Sequence, residues 1–269
     1  MPGPDPLLLH MLQARIDAAL AAHGEGLLVV GLCGAQGSGK STLAAALVAV
    51  LCEQGVAAAA LSLDDLYLTR AERQDLARAV HPLLATRGVP GTHDIALGLQ
   101  TLAALERGEA ARLPRFDKAS DDRAPQASWP LAPAQCQVLL LEGWCLGAAP
   151  QQAADLIAPV NRLEAGEDPG AVWRRRANAA LSGPYQQLFA AIDLLVLLAA
   201  PCWEVVAQWR EEQEQALRQA QAPRAMTAAQ VSRFIQHYER LTRWILNEMP
   251  SRADLVVRLD PDRGVAATS

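Results

Sequence analysis

Five apolar runs punctuate the chain: Leu27–Cys33, Ala57–Leu63, Gln137–Leu141, Leu194–Ala199 and Ala253–Leu259. None alternates apolar with polar residues, so each predicts a strand buried on both faces. Helical patterns lie between them, at Pro6–Ala22, Ser41–Glu53, Arg70–Val80, Asp94–Arg107, Trp203–Gln221 and Ala228–Met249. Thr69 with Glu72, and Thr227 with Gln230, have the spacing of capping boxes at helix starts. Strands alternating with helices predict an α/β fold, a mostly parallel five-stranded sheet flanked by helices. The pattern predicts a single domain over residues 1–269. Two intervals break the alternation, Leu66–Ala134 and Gly147–Ala191. The first carries HPLLATRGVPGTHD and LPRFDKASDDRAP, rich in Gly, Pro and charge. An insert this long between the second and third strands predicts a helix plus functional loops. The tail from Asp262 to Ser269 is expected to fray.

Charge and composition narrow the options. The 269 residues carry a formal charge of −5. Mild acidity argues against a nucleic-acid partner, because such domains concentrate basic residues. The one basic run, Arg174–Arg176, is expected to be a solvated helix face. No stretch reaches the ~18 apolar residues of a membrane span. The first residues lack the basic segment of a signal peptide. Five cysteines without metal or CxxC spacing suggest a reduced, cytoplasmic protein with small buried thiols. Among 24 basic residues only Lys40 and Lys118 are lysine, so each invites a question about its task.

Lys40 has a ready answer. Gly34, Ala35, Gln36, Gly37, Ser38, Gly39, Lys40, Ser41 and Thr42 match G-x-x-x-x-G-K-[ST], between a predicted strand and a predicted helix. Glycines let the backbone curl so that successive N–H groups face one anion, and the helix start adds partial positive charge. Lys40 can then reach the β- and γ-phosphates of ATP, and the Ser41 hydroxyl can ligate Mg²⁺. With this composition the match arises by chance on the order of once in 2,000 such chains, before the strand–loop–helix context is required.

Carboxylates mark two other strand tips. The second strand ends LSLDDLY and the third LLLEGW. Ligands bind at such tips in open parallel sheets. Asp64 can accept a proton from an attacking hydroxyl, or serve as a metal ligand, and Glu142 can hold Mg²⁺ or its water. The N-K-x-D motif of GTPases and the LSGGQ motif of transporter ATPases are absent from the sequence.

The phosphate loop, the S-x-D-D-x-Y strand end and the L-E-G-W strand end together resemble the uridine kinase, phosphoribulokinase and pantothenate kinase group. Within it, Ser62–Thr69, His81–Asp94, Pro114–Pro125, Leu141–Gly147, Gln208–Glu214 and Thr242–Val257 resemble the D-glycerate 3-kinase family. The resemblance runs from about Gly31 to Val257. It implies a P-loop kinase fold, ATP with Mg²⁺, and transfer to the 3-hydroxyl of D-glycerate. One departure concerns the acceptor. The segment between Lys118 and Arg123 is only Ala119-Ser120-Asp121-Asp122, shorter than the family pattern.

An acid acceptor needs fixed positive charge. Arg87, His93, Arg115, Lys118 and Arg123 all lie in the long insert and are candidate acceptor ligands, with Asp65 and Tyr67 beside Asp64. Related kinases place lid arginines after the fourth strand, and QWREEQE resembles that segment. Arg210, eight residues from Arg218 and near the same helix face, is therefore the lid candidate within about 203–249. The tryptophans at 203, 209 and 244 are expected in the core. Two rival readings remain. One is a kinase of another hydroxyl acceptor: pantothenate, a nucleoside or a sugar acid. The other is a nucleotide-binding regulator without a small acceptor.

Overall fold

The computed structural model describes residues 3–220 and 225–269. The chain opens with α1 (Pro6–His23), β1 (Leu28–Gly34), α2 (Lys40–Glu53) and β2 (Ala58–Ser62). The insert then holds α3 (Arg70–Ala79), α4 (Ile95–Glu106) and four two-residue strands. These are β3 (Ala111–Arg112), β4 (Phe116–Asp117), β5 (Asp122–Arg123) and β6 (Leu131–Ala132). β7 (Val138–Gly143) returns to the main sheet. α5 (Arg162–Glu167), α6 (Val172–Ala180) and α7 (Gln186–Phe189) precede β8 (Leu194–Ala199). The last elements are α8 (Trp203–Gln219), α9 (Ala228–Glu248), β9 (Leu255–Leu259) and β10 (Val265–Thr268). The expected end of the first late helix, Gln221, lies outside the described residues.

The main sheet has the order β10-β9-β8-β1-β7-β2 and is parallel except for β10. Every residue of β1, β7 and β8 is buried, as unbroken apolar runs require when helices cover both faces. Leu8, Leu12 and Ile16 of α1 and Leu43, Leu47 and Leu51 of α2 join that core. Asp5 caps α1 by accepting from the Leu7 amide at 2.9 Å, with Pro6 at the first helical position. Both expected capping boxes form, at Thr69–Glu72 and Thr227–Gln230.

Three expectations need correction. The sheet has six strands, not five, because the tail does not fray. Asp260 Oδ1 accepts the amides of Asp262 and Gly264, and this turn folds β10 back along β9. The Arg174–Arg176 run is not a uniform solvated face. Arg174 is buried, bonded to Asp168 Oδ2 at 3.0 Å and to the Leu156 carbonyl at 2.8 Å. Two of the five thiols, Cys52 and Cys202, are exposed. Trp203 and Trp209 are buried as expected, and Trp244 is half-buried with its indole N–H on the Ala149 carbonyl. No helix among the described residues is long and apolar enough to cross a membrane.

The parallel register decides where chemistry can gather. Glu142 lies opposite Leu32 of β1 and Ser62 of β2. The carboxyl ends of β1, β2 and β7 therefore reach the same edge of the sheet, the edge where ligands bind in this architecture.

Candidate active site

At that edge β1 runs through Gly34 into the phosphate-loop sequence. Gly37 and Gly39 take φ of 82° and 85°, a conformation that favours glycine. Gly37 also has no room for a side chain, since a Cβ there would stand 2.6 Å from Trp209 Cβ of α8. Ser38, buried in the loop, carries a hydroxyl without a hydrogen-bond partner among the described residues, as does the Gln36 amide oxygen. Lys40 and Ser41 open α2, and exposed Thr42 follows in the first turn. The loop is also clipped from outside. Arg263 Nε donates to the Gly37 carbonyl at 2.7 Å, and its Nη2 reaches Glu212 Oε2 of α8 at 2.7 Å.

Glu142, at the tip of β7, is buried beside the loop. Ser41 Oγ donates to its Oε1 at 2.8 Å, and Lys40 Nζ lies 3.9 Å from its Oε2. Oε2 has no hydrogen-bond partner among the described residues. A hydroxyl and a buried carboxylate with spare lone pairs form a hard-oxygen donor set. It suits Mg²⁺, which takes few protein ligands and completes its octahedron with phosphate oxygens and water. No group of three or more His, Cys, Asp or Glu among the described residues could hold a metal alone.

Asp64 and Asp65 sit on a single 3₁₀ turn, Leu63–Leu66, capped by the Ser62 hydroxyl. They face different partners. Asp64 Oδ1 accepts from the Tyr67 hydroxyl at 2.6 Å, and Lys118 Nζ lies 2.8 Å from Oδ2. Burial opposes the Asp64 charge. Lys118 and Lys40, with the hydrogen bonds from Lys118 and Tyr67, outweigh it and hold the carboxyl well below its ordinary range. Asp65 instead accepts the Phe116 amide at 2.9 Å and Arg115 Nη1 at 3.1 Å. Burial raises its pKa despite those partners. Asp65 and Arg115 thus brace β4 against the turn, whereas Asp64 faces the phosphate loop's lysine.

The insert wraps this turn with an aromatic and cationic wall. Tyr67 packs on His93 at 4.7 Å and edge-on to Phe116 at 5.2 Å between ring centres. His93 is buried, its Nδ1 2.6 Å from the Tyr185 hydroxyl, and burial pushes the imidazole down to about 4. Its Nε2 has no hydrogen-bond partner among the described residues. Arg87 pairs with Asp121 and lies over the Phe116 ring. Arg123 pairs with Asp94 at 2.9 Å, so it secures the start of α4. Four of the five candidate acceptor ligands of the insert are thus held by other partners: His93 by Tyr185, Arg87 by Asp121, Arg115 by Asp65 and Arg123 by Asp94. Lys118 alone reaches Asp64 directly.

Sequence reasoning missed several contributors. Arg73, fully buried in α3, binds the carbonyls of Leu68 and Asp121 and the Asp121 carboxylate at 2.7 Å. Asp121, with φ of 60°, therefore gathers Arg73 and Arg87 inside the short segment after Lys118. Tyr238 of α9 donates to the Arg87 carbonyl at 2.9 Å and stands against Gly88, where a Cβ would lie 2.0 Å from its hydroxyl. Burial raises the Tyr238 phenol, and among the charges acting on it are Asp64, Arg87 and Arg210. The helical spacing of Phe234 and Tyr238 was the only available signal, and it also fits a plain core face.

Arg210 of α8 pairs with Glu214, bonds Gln213 at 3.2 Å and lies over the Phe234 ring at 5.4 Å. Its Nε is buried without a hydrogen-bond partner among the described residues. Arg218 turns instead to Glu211 and the Met226 carbonyl. The two arginines share a helix but not a task.

A strand–loop–helix phosphate cradle, a serine hydroxyl on a buried glutamate and a strand-tip carboxylate define a P-loop kinase site on a mostly parallel sheet. Comparison with known proteins agrees. The phosphoribulokinase/uridine kinase family model matches residues 29–157. An uncharacterized kinase, mug58, of Schizosaccharomyces pombe is 35% identical over 78% of this chain and 78% of its own length. The chloroplastic D-glycerate 3-kinase of Arabidopsis thaliana is 32% identical over 88% of this chain, which spans 53% of the plant protein. The structure of D-glycerate 3-kinase from Cryptococcus neoformans superposes with a TM-score of 0.84. It has 26% identity and covers 98% of this chain and 99% of its own. The chain belongs to the phosphoribulokinase/uridine kinase family and is an ATP-dependent kinase.

Proposed function

We propose that this kinase transfers the γ-phosphate of ATP to the 3-hydroxyl of D-glycerate, with the whole chain acting as one catalytic unit. The observation that carries the reading is the Asp64 site. An ionised carboxylate at a strand tip faces the phosphate-loop lysine and, 2.8 Å away, a second lysine able to receive an acid. The two D-glycerate 3-kinases similar to this chain support the choice of acid.

In this mechanism Lys40 and the loop amides from Gly34 to Thr42 hold the β- and γ-phosphates. Ser41 and Glu142 would hold Mg²⁺, which neutralises charge on the phosphate oxygens. Asp64 lies within the electrostatic reach of Lys40 and is hydrogen-bonded to Lys118, and in this mechanism it serves the acceptor hydroxyl. The acceptor oxygen attacks the γ-phosphorus, forming the new O–P bond. The bond from that phosphorus to the β,γ-bridging oxygen breaks, and its electrons leave on ADP. Asp64 orients the hydroxyl and accepts its proton as the transfer completes. Arg210 of α8 neutralises the transferring phosphoryl group after a small movement away from Glu214. His93, neutral above about pH 5 because burial holds it near 4, offers a hydrogen bond without adding charge.

The test is an acceptor panel with ATP: D-glycerate, L-glycerate, pantothenate, uridine and gluconate, with the phosphorylated position read by NMR. Transfer to O3 of D-glycerate is the expected result. Preference for any other acceptor rejects the reading, and hydrolysis indifferent to every acceptor points to the regulator instead.

A further inference from the structure

Four arginines of the insert that surround the Asp64–Asp65 turn are already paired. Arg73 and Arg87 share Asp121, Arg115 holds Asp65, and Arg123 holds Asp94. Each also has a second anchor. Arg73 and Arg115 bond backbone carbonyls, Arg123 reaches the Tyr67 carbonyl, and Arg87 lies on the Phe116 ring. Lys118 is also paired, but it lacks a second anchor. It is the most exposed of these five cations, at 60%, and its ammonium has a single hydrogen bond among the described residues, to Asp64. Its counter-ion is therefore the same carboxylate that serves the acceptor hydroxyl. The lysine end of this pair is open to water, so an incoming anion can compete with Asp64 for the ammonium. A flexible four-carbon stem lets the ammonium swing to it.

We propose that Lys118 gates Asp64: in the empty site it masks the carboxylate, and the acceptor's own carboxylate draws it away. This rests on the acid-acceptor reading above and deepens it. Asp64 keeps its Tyr67 hydrogen bond and gains a free oxygen for the acceptor hydroxyl only when an anion occupies Lys118. Selection for an acid then acts on turnover as well as on binding. An uncharged polyol that fits the pocket meets a carboxylate still occupied by lysine. The gate also gives a reason for lysine in an arginine-rich chain. A planar guanidinium would grip the carboxylate in a two-point fork and release it less readily.

The kinetic test compares D-glycerate with glycerol, which lacks the carboxylate, in wild type and Lys118→Met. The variant should lose about tenfold or more of kcat/KM for D-glycerate. It should gain about fivefold or more in kcat for glycerol, because Asp64 is unmasked. Acetate added to wild type should raise glycerol turnover and leave the variant unaffected. Glycerol turnover in the variant at or below wild type overturns the gate. A second readout does not need catalysis. The sequence has two lysines, so ¹³Cε/¹⁵Nζ-lysine labelling yields two signals, and Lys118→Met assigns them. Asp64→Asn should shift the Lys118 signal, D-glycerate should shift it, and glycerol should not. A Lys118 signal unmoved by D-glycerate that is nonetheless phosphorylated overturns the gate alone. Wild-type turnover confined to uncharged acceptors overturns both the gate and the acid-acceptor reading.

Discussion

Arg263 Nε donates a 2.7 Å hydrogen bond to the carbonyl of Gly37, so the final loop of the chain holds the phosphate loop across 226 residues. The same guanidinium reaches Glu212 and lies over the Trp209 ring, whose indole N–H binds the Pro261 carbonyl at 2.7 Å. Three segments meet at one side chain: the loop, α8 and the turn before β10. Arg263 is partly solvated, so its ion pair adds little to global stability. Its geometric effect on the loop is larger. Arg263→Ala is predicted to lower stability by about 1 kcal/mol or less while weakening ATP binding about five- to tenfold. Arg263→Lys should recover little, because one ammonium cannot reach both partners in fork geometry. Calorimetric ATP titration beside thermal melts checks this. Unchanged ATP affinity would remove the clip from the account.

The adjacent aspartates should separate cleanly. Asp64→Asn keeps the shape but loses the proton acceptor, and turnover should fall about 10²-fold or more with ATP affinity within about twofold. Asp65→Asn should leave turnover within about threefold and cost about 1–2 kcal/mol of stability. It weakens the charge-assisted bonds to Arg115 and the Phe116 amide. Steady-state kinetics and urea melts on both variants decide it. Equal kinetic loss in the two would mean that the turn works as one unit.

The sequence exposed the catalytic edge better than the acceptor wall, for a physical reason. Gly34–Thr42, Asp64 and Glu142 lie at strand ends, and local pattern locates strand ends. A parallel sheet then brings them together without further information. The wall depends on which cation meets which acid across the insert, and residue type does not encode that choice. Asp65, Arg115 and Arg123 looked as suited to the acceptor as Lys118, yet they spend their charge on Phe116, Asp65 and Asp94. The tail turned into β10 because Asp260 gathers two amides, a device visible only once Gly264 is seen folded back. Tyr238 and Arg73 reached the site from helix faces that read equally well as core.

Arg174, Arg175 and Arg176 make the same point as a measurement. They are consecutive and chemically identical, but only Arg174 is buried, held by Asp168 and the carbonyls of Leu156, Ile157 and Asp168. Asp168 in turn accepts the amides of Trp173 and Arg174. Removing one partner of a buried pair strands the other, so Arg174→Met should cost about 3–5 kcal/mol. Arg175→Met and Arg176→Met should each stay within about 0.5 kcal/mol. Urea denaturation midpoints of the three variants test the contrast. Indistinguishable midpoints would show that the Asp168 pair carries no special weight.

Acid sensitivity offers a final check on the interior. Burial pushes both His93 and His237 down to about 4, against an unfolded value near 6.5. The unfolded chain therefore binds more protons between those limits. The stabilisation is complete above about pH 6.5, declines as pH falls, and is exhausted near pH 4. For each histidine the loss between pH 7.5 and pH 5 is roughly 2 kcal/mol at most. At His237 burial outweighs a bond that favours the proton. Its Nδ1 is 3.0 Å from the Phe234 carbonyl, which supports the charged ring, but its Nε2 has no hydrogen-bond partner among the described residues and the Trp173 ring closes edge-on at 5.7 Å. Arg233 repels the charge and Glu167 attracts it, but those two pair with each other at the surface. His237→Gln should therefore lower stability at pH 7.5 yet flatten its slope against pH, removing about half of the loss seen in wild type. Urea unfolding at half-unit steps from pH 7.5 to 5 gives both slopes, and parallel curves would place the acid sensitivity elsewhere.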